Sequence, residues 1–445
     1  MKRSWNLWAA VCVLVPIAAL AQAPAAGPVA EKKSPISFAP YGFVVLNVFF
    51  DDGPFLSQTY PGQALPCPAS GVVSGCNHGG SLVVNVRQSR LGTRIAFDDT
   101  DGWTRARLSG LVEIDFQGGF TGTTSSTFYN ALVRLRKAWG EASWGGDSRF
   151  SLRFGQDDRV ISPLRATSLA FSADALFNQS GLIYGRVPQL ALRYELSPRD
   201  GIAASVAVSA NNPQDVTFAD LGASPGVAVD FGAGNRGRLP NFEARASIGW
   251  RSASAKVVDL GVWGGWQRNR YVVPSVPPTT ANPTGAPLVD ADVNCNVVGG
   301  DLNLNLWILQ AMGAIYLAHG YDVLGSLATQ GVAALTTGTP ARLVVPFQGR
   351  AVKAFGGWFQ VIVNLTPVQI YGGWGGTQTP FSELTGTTLA VPGGRVQNFT
   401  WAAGAIASAG KNWRFSVEYA RTTSWYYSGA SANAGQLSVN SQLLF

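Results

Sequence analysis

Apolar and polar side chains alternate residue by residue through most of this 445-residue chain. In TRARLSGLVEIDFQ, residues 104–117, the charged residues fall on one parity and most of the aliphatic residues fall on the other. QLSVNSQLLF, residues 436–445, largely repeats the pattern. A period of two is that of a β-strand with one apolar and one polar face. The sequence therefore predicts an all-β chain.

The first 21 residues have the pattern of a secretory signal peptide. Two basic residues precede an uncharged stretch at 7–20, and the small residues that follow predict cleavage after Ala21. The stretch is too short to cross a bilayer as a helix, which takes about 20 apolar residues. We expect a mature chain that leaves the cytoplasm, with an N-terminal segment at 22–37 and one β-sheet domain at 38–445.

The composition favours strands that cross a membrane. No later run of apolar residues is long enough for a transmembrane helix. The chain has 52 glycines, 14 tryptophans and 23 phenylalanines but only 13% charged residues, whereas soluble domains average about 25% charged residues. The net charge of +7 is modest and the basic residues are dispersed, which argues against nucleic-acid binding.

Tight and long connections alternate between the predicted strands. Outer-membrane barrels join their strands by short periplasmic turns and long extracellular loops, and single-chain bacterial barrels have an even strand number. We therefore predict a transmembrane antiparallel β-barrel of about 16 strands in the bacterial outer membrane. The tight turns are predicted at 98–102, 145–148, 197–200, 252–255, 365–367 and 409–412, with a weaker one at 305–307, and the loops at 51–80, 118–128, 157–187, 211–240, 269–294, 321–346, 377–394 and 427–434.

Two details of the strand pattern carry further predictions. The polar parity changes within the second predicted strand, which indicates a bulge near 88–90. A closed sheet also requires its last strand to pair with its first, so 436–445 should pair with 41–50. The apolar alternation of the last strand and its final Phe445 resemble the insertion signal that the bacterial barrel-assembly machinery recognises.

Five segments resemble, in order and spacing, the DcaP-type porins of Gram-negative bacteria. They are YGFVVLNVFFD (41–51), QSRLGTRIAFDD (88–99), VEIDFQGGF (112–120), RLRKAWGEASW (134–144) and SLRFGQDD (151–158). The resemblance covers roughly residues 38–210. It implies a sixteen-stranded barrel with a water-filled lumen, a homotrimeric assembly, and a third long loop that folds inward as a constriction.

Arginines occupy the polar parity of the early strands, so the lumen wall is expected to carry a row of positive charges. Acidic residues in the third loop would then create a transverse field that admits small polar solutes. An excess of arginine favours anions such as carboxylates or phosphate, which guanidinium groups bind bidentately. The predicted wall residues are Arg90, Arg94, Arg105, Arg107, Arg134, Arg136, Arg149, Arg153 and Arg193, and the predicted constriction residues are Asp157, Asp158, Arg159, Arg165 and Asp174.

A second interpretation of the same arginines is structural. They can pair with acids on neighbouring strands and stabilise the wall without setting any selectivity. The candidate partners are Glu113, Asp115, Glu195 and Glu243.

Two other classes of barrel are alternatives to a passive channel: an enzyme of the lipase or protease type, and a structural or adhesive barrel with a closed lumen. Hydrolysis by a serine–histidine pair needs a suitably placed histidine. The chain has only His78 and His319, and neither lies close in sequence to a GxSxG motif. Because the sequence shows no such catalytic arrangement, we predict a channel and no enzyme, and we expect no cofactor and no metal.

The cysteines leave two arrangements open. Cys67 and Cys76 lie close together in a polar segment and could form a disulfide in an oxidising compartment, which would leave Cys295 without a partner. In the other arrangement all three are free thiols.

Overall fold

The described part of the chain folds mainly into β-strands. The predicted signal peptide, Cys67 and Cys76 lie outside the part of the chain that the structure describes. No helix among the described residues is long and apolar enough to cross a membrane. The computed structural model describes residues 36–57, 60–66, 80–97, 105–118, 132–213, 233–253, 255–274, 288–320, 331–337, 342–343, 349–387 and 394–445.

Two four-residue helices, α1 (Ala233–Arg236) and α2 (Phe381–Leu384), accompany the strands. The strands are β1 (Ile36–Asp51), β2 (Phe55–Ser57), β3 (Tyr60–Ala64), β4 (Ser81–Asn85), β5 (Arg90–Phe97), β6 (Arg107–Asp115), β7 (Arg134–Gly145), β8 (Ser148–Asp158), β9 (Arg186–Leu196), β10 (Gly201–Asn211), β11 (Asn241–Ser252), β12 (Ala255–Pro274), β13 (Leu288–Leu306), β14 (Leu309–His319), β15 (Val332–Ala334), β16 (Thr336–Thr337), β17 (Arg342–Leu343), β18 (Gly349–Ala351), β19 (Lys353–Leu365), β20 (Val368–Gln378), β21 (Arg395–Ala409), β22 (Trp413–Tyr426) and β23 (Ser431–Leu444).

The main sheet is a closed antiparallel barrel. It contains seventeen strands, and β4 and β5 both pair with β1 as two halves of one wall strand, so the wall has sixteen. The barrel closes where β1 pairs with β23, with Phe43 opposite Leu444 and Asp51 opposite Gln436. The predicted strand number and the predicted pairing of the first and last strands are both confirmed.

The predicted bulge is also confirmed. Residues 86–89 interrupt the wall strand between β4 and β5, and Arg87, Gln88 and Ser89 are all buried there. The interruption changes which parity faces the lumen, because an extra residue in one strand shifts the alternation of its side chains.

Most of the tight turns are confirmed where they were predicted. They join β7 to β8, β9 to β10, β11 to β12, β13 to β14, β19 to β20 and β21 to β22. The turn predicted at 98–102 lies outside the described residues. We call the end of the barrel that carries these turns the turn end, and the opposite end the loop end.

The loop predicted at 269–294 is wrong in its bounds. The pairing of β12 with β13 continues to Pro274 opposite Leu288. Polar residues suggested a loop, but Arg270 on β12 donates hydrogen bonds of 2.7 and 3.0 Å to the Asp292 carboxylate on the adjacent strand. The charged pair therefore lies on the paired strands β12 and β13 and not in a loop.

The outer surface of the wall is an apolar belt. Val44, Leu192, Ile248, Ile315 and Val417 are between 42% and 72% exposed, although all are aliphatic. Side chains of the opposite parity face inward and are mostly polar. A closed barrel with every strand paired and an apolar outside is the arrangement that satisfies backbone polar groups in lipid.

We expect Gly42→Val to weaken the closing pair of strands. The Gly42 amide donates to the Phe445 carbonyl at 3.0 Å and the Phe445 amide donates back at 3.1 Å. A Cβ atom on Gly42 would lie 2.5 Å from the Arg90 carbonyl oxygen and 2.9 Å from the Phe445 ring. Crowding of this kind costs roughly 1–3 kcal/mol. The measurement is the temperature at which the folded barrel loses its compact electrophoretic mobility.

Val44→Leu is the matched control for this variant, because Val44 lies on the same strand and is 50% exposed on the outer face. Equal transition temperatures for Gly42→Val and Val44→Leu would contradict the role of Gly42.

Candidate functional site

The connection between β8 and β9, residues 159–185, runs through the inside of the barrel, and we call it the crossing loop. Leu176, Phe177 and Leu182 are at most 2% exposed. They belong to one cluster with lumen-facing wall residues such as Trp358 and Ile406. The wall here offers an apolar surface inside the barrel, and burying the loop's apolar residues against it keeps the loop in the lumen.

Glycines let the crossing loop contact the wall backbone directly. A Cβ atom on Gly375 of β20 would overlap the carbonyl oxygen of Ser180. Gly181 has φ of +94°, a conformation that L side chains rarely adopt. The two glycines together allow the loop to lie against β20 with no side chain between them.

The charged side of the lumen is centred on Arg136 of β7. Its Nε donates to Glu113 Oε1 at 2.9 Å, and its Nη1 donates to Asp115 Oδ2 at 2.7 Å. The same Nη1 lies 2.9 Å from the carbonyl oxygen of Ala173 in the crossing loop. Arg134 binds both oxygens of Asp115, at 3.0 and 2.7 Å. These arginines therefore neutralise wall acids, and one of them also holds the loop.

Three more of the predicted wall arginines have acidic neighbours. Arg90 Nη1 lies 3.6 Å from Glu113, and Arg149 Nη2 lies 2.7 Å from Glu195. Arg153 contacts Glu141 at 2.6 Å and Asp157 at 2.5 Å. Five of the predicted wall arginines therefore form ion pairs with acidic residues, as the structural interpretation of these arginines expects: Arg90, Arg134, Arg136, Arg149 and Arg153.

The remaining predicted wall arginines lie in different places. Arg94 stacks over the Tyr41 ring, with its guanidinium carbon 4.7 Å from the ring centroid. Arg193 faces the lumen beside Arg153 and Asp157. Arg107, the first residue of β6, and Arg105, two residues before it, are exposed at the turn end of the barrel.

The predicted constriction residues are partly on the wall. Asp157 and Asp158 are the last two residues of β8, because β8 pairs with β9 as far as Asp158 opposite Arg186. Lys137 Nζ lies 3.0 Å from Asp157 and 2.7 Å from Asp158. Placing these two acids in the loop was therefore wrong.

Arg159 and Arg165 do lie in the crossing loop, together with Asp174. Arg165 Nη2 is 3.2 Å from Asp158, and its guanidinium group stacks on Tyr184 at 4.1 Å. Arg159 pairs with Glu243 of β11 where both side chains are buried. Basic and acidic groups are thus interleaved, and an acidic loop does not simply face a basic wall.

A cavity of about 600 Å³ lies between the crossing loop and the charged wall. Arg94 and Arg414 in its lining lie near the turn end, so the cavity is on that side of the loop. Its charged lining is Arg90, Arg94, Arg136, Lys137, Arg165 and Arg414 against Glu113, Asp158 and Asp174. The lining therefore has three more basic than acidic side chains.

Sequence reasoning did not assign Lys137 or Arg414 to the cavity. The pairing of β6 with β7 shifts register between Glu113 and Ile114, and Arg136 and its neighbour Lys137 both reach lumen partners. Strict alternation places adjacent residues on opposite faces, so parity alone could not find Lys137. Arg414 has the lumen parity of its strand, and that signal was present in the sequence.

No protein-family profile and no curated protein sequence matches the chain. The outer-membrane channel DcaP of Acinetobacter baumannii is similar in structure, with a TM-score of 0.63 and 15% identity over 93% of this chain and 98% of that one. OprB of Pseudomonas putida and a Salmonella typhi OmpF complex with daunomycin each have a TM-score of 0.50 and 9% identity. These two matches cover 92% of this chain and 94% and 97% of those chains. The chain thus has the barrel fold of bacterial outer-membrane porins.

We expect Arg136→Leu to destabilise the barrel much more than Arg149→Gln, although each variant removes one positive charge. The side chains of Arg136 and Glu113 are only 4% and 5% exposed, whereas those of Arg149 and Glu195 are 45% and 35% exposed. Breaking a buried pair costs roughly 3–5 kcal/mol, and an exposed pair contributes roughly 0–1 kcal/mol. The measurement is the free energy of unfolding in urea for the barrel refolded into lipid, and similar losses would contradict the assignment.

Proposed function

We propose that this chain is a passive diffusion channel for small hydrophilic solutes in the bacterial outer membrane, with a preference for anions such as carboxylates or phosphate. The observation that carries the proposal is the excess of basic side chains around the cavity beside the crossing loop. A polar passage through an otherwise apolar environment concentrates ions of the opposite charge. The proposal also agrees with the porin fold.

The preference for anions should depend on two arginines in particular. Arg90, Arg136 and Arg165 in the lining lie next to acids. Within the described residues Arg94 and Arg414 form no ion pair, and Arg94 instead stacks over Tyr41. An arginine whose guanidinium plane stacks on an aromatic ring still has N–H groups along its edge, and these groups can bind a carboxylate or a phosphate. We therefore assign the selectivity to Arg94 and Arg414 and give Arg134 and Arg136 a supporting role.

We also propose that the channel is a homotrimer, as the family resemblance implied, and that the barrel-assembly machinery inserts it. Phe445 supports the second part, because its backbone completes the hydrogen bonds that close the barrel. The residues of β23 that the machinery recognises would then be the same residues that complete the wall.

Replacing Arg94 and Arg414 together by glutamine should shift the reversal potential in a salt gradient toward cations. The change removes most of the excess positive charge of the cavity, and we expect the anion-to-cation permeability ratio to fall at least about twofold. The measurement is made on purified protein in a planar bilayer.

Arg421→Gln is the control for this experiment. Arg421 lies between the buried, lumen-facing Ala420 and Thr422, and so its side chain points outward. An unchanged reversal potential in the double variant would show that Arg94 and Arg414 do not determine the selectivity. Silent bilayers would contradict a channel, and silence with esterase or protease activity would instead favour the enzyme.

A further inference from the structure

The interruption between β4 and β5 directs one uncharged side chain, Gln88, at the crossing loop. Gln88 Nε2 donates to the carbonyl oxygen of Ala170 at 2.6 Å. Its Oε1 accepts from the Ala173 amide at 3.0 Å and from the Ser172 hydroxyl at 3.2 Å. The side chain is 2% exposed. The Gln88 side-chain amide thus donates a hydrogen bond to a backbone carbonyl of the loop and accepts one from a backbone N–H of the loop.

A second glutamine makes the same kind of contact from a different part of the wall. Gln360 of β19 accepts from the Thr167 amide at 2.7 Å and donates to the Thr167 carbonyl oxygen at 2.9 Å. The side chain is fully buried. Gln360 therefore pairs with the loop backbone much as a neighbouring strand would.

Gln88 and Gln360 hold the loop from strands that are far apart in the wall. Gln88 lies in the second wall strand and Gln360 in the twelfth. Asn398 of β21 adds a third point, since its Nδ2 donates to the Gln179 carbonyl and the Ser180 hydroxyl, each at 2.9 Å. A loop held at separated points on a closed wall has little freedom to move across the lumen.

Glutamine suits this task better than a charged residue of similar size. Its amide presents a donor and an acceptor side by side, whereas a glutamate carboxylate presents acceptors only and a lysine presents donors only. A neutral amide also avoids the cost of burying a charge beside the apolar cluster. The choice of residue at both positions thus follows from what the loop backbone needs.

We propose that Gln88 and Gln360 are the positioning residues of the channel. They fasten the crossing loop from two parts of the wall and fix the width of the passage beside it, so they set the size limit for solutes. This inference rests on the proposed function, because a size limit has meaning only for a conducting barrel.

The test replaces both glutamines, as Gln88→Leu with Gln360→Leu. Leucine removes the hydrogen bonds, and the buried loop amides and carbonyls lose their partners. We expect the equilibrium between the docked and the released loop to shift by roughly tenfold or more toward release. Single-channel records should show a higher mean conductance with frequent changes of level, and larger sugars should enter liposomes that contain the variant.

The control is Gln442→Leu. Gln442 is a buried, lumen-facing glutamine of β23, opposite Val45 and Arg414. Compact electrophoretic mobility verifies that each variant folds. If the double variant does not fold, the same measurements are made on the single variant Gln360→Leu. Conductance and size limit equal to those of Gln442→Leu would overturn the proposal.

A second readout does not depend on conduction. Ala170 is fully buried in the docked loop, so the thiol of Ala170→Cys, in a chain whose other cysteines are serine, should react slowly with a water-soluble maleimide. Adding the two leucines should raise the rate roughly tenfold or more. A faster reaction with unchanged conductance would overturn the size-limit role. A silent wild-type barrel with a faster reaction in the variant would contradict the proposed function and leave the fastening of the loop supported.

Discussion

A strand that crosses lipid must have every backbone N–H and C=O group paired, because hydrocarbon offers no substitute partner. This requirement accounts for the double pairing of β1, with β23 on one side and with β4 and β5 on the other. Once the wall is closed, the side chains on its inward face surround a lumen. The segments that occupy this lumen determine which solutes could pass through the barrel.

The wall could be predicted from the sequence because its signal is local. A period of two fixes the face of each side chain relative to its neighbours, and turn residues mark where strands end. The parity change near Arg90 even located the interruption between β4 and β5. Such features need no knowledge of distant residues.

The site could be predicted only in part, because it depends on contacts between distant segments. Parity identified arginines on the lumen side, but Arg136 meets Glu113, Asp115 and the crossing loop together. Some of the contacts that hold the loop join residues far apart in the sequence, such as Thr167 and Gln360, which are 193 positions apart. Nothing in the alternation of a single strand reports such partners.

The crossing loop packs apolar side chains into part of the barrel interior. Leu176 and Phe177 share one cluster with Trp358 and Ile362 of the wall. Close-packed side chains resist compression. A hollow cylinder can be flattened by sideways force, whereas one braced from within keeps a round cross-section. We therefore expect the crossing loop to stiffen the barrel against lateral pressure in a crowded bilayer.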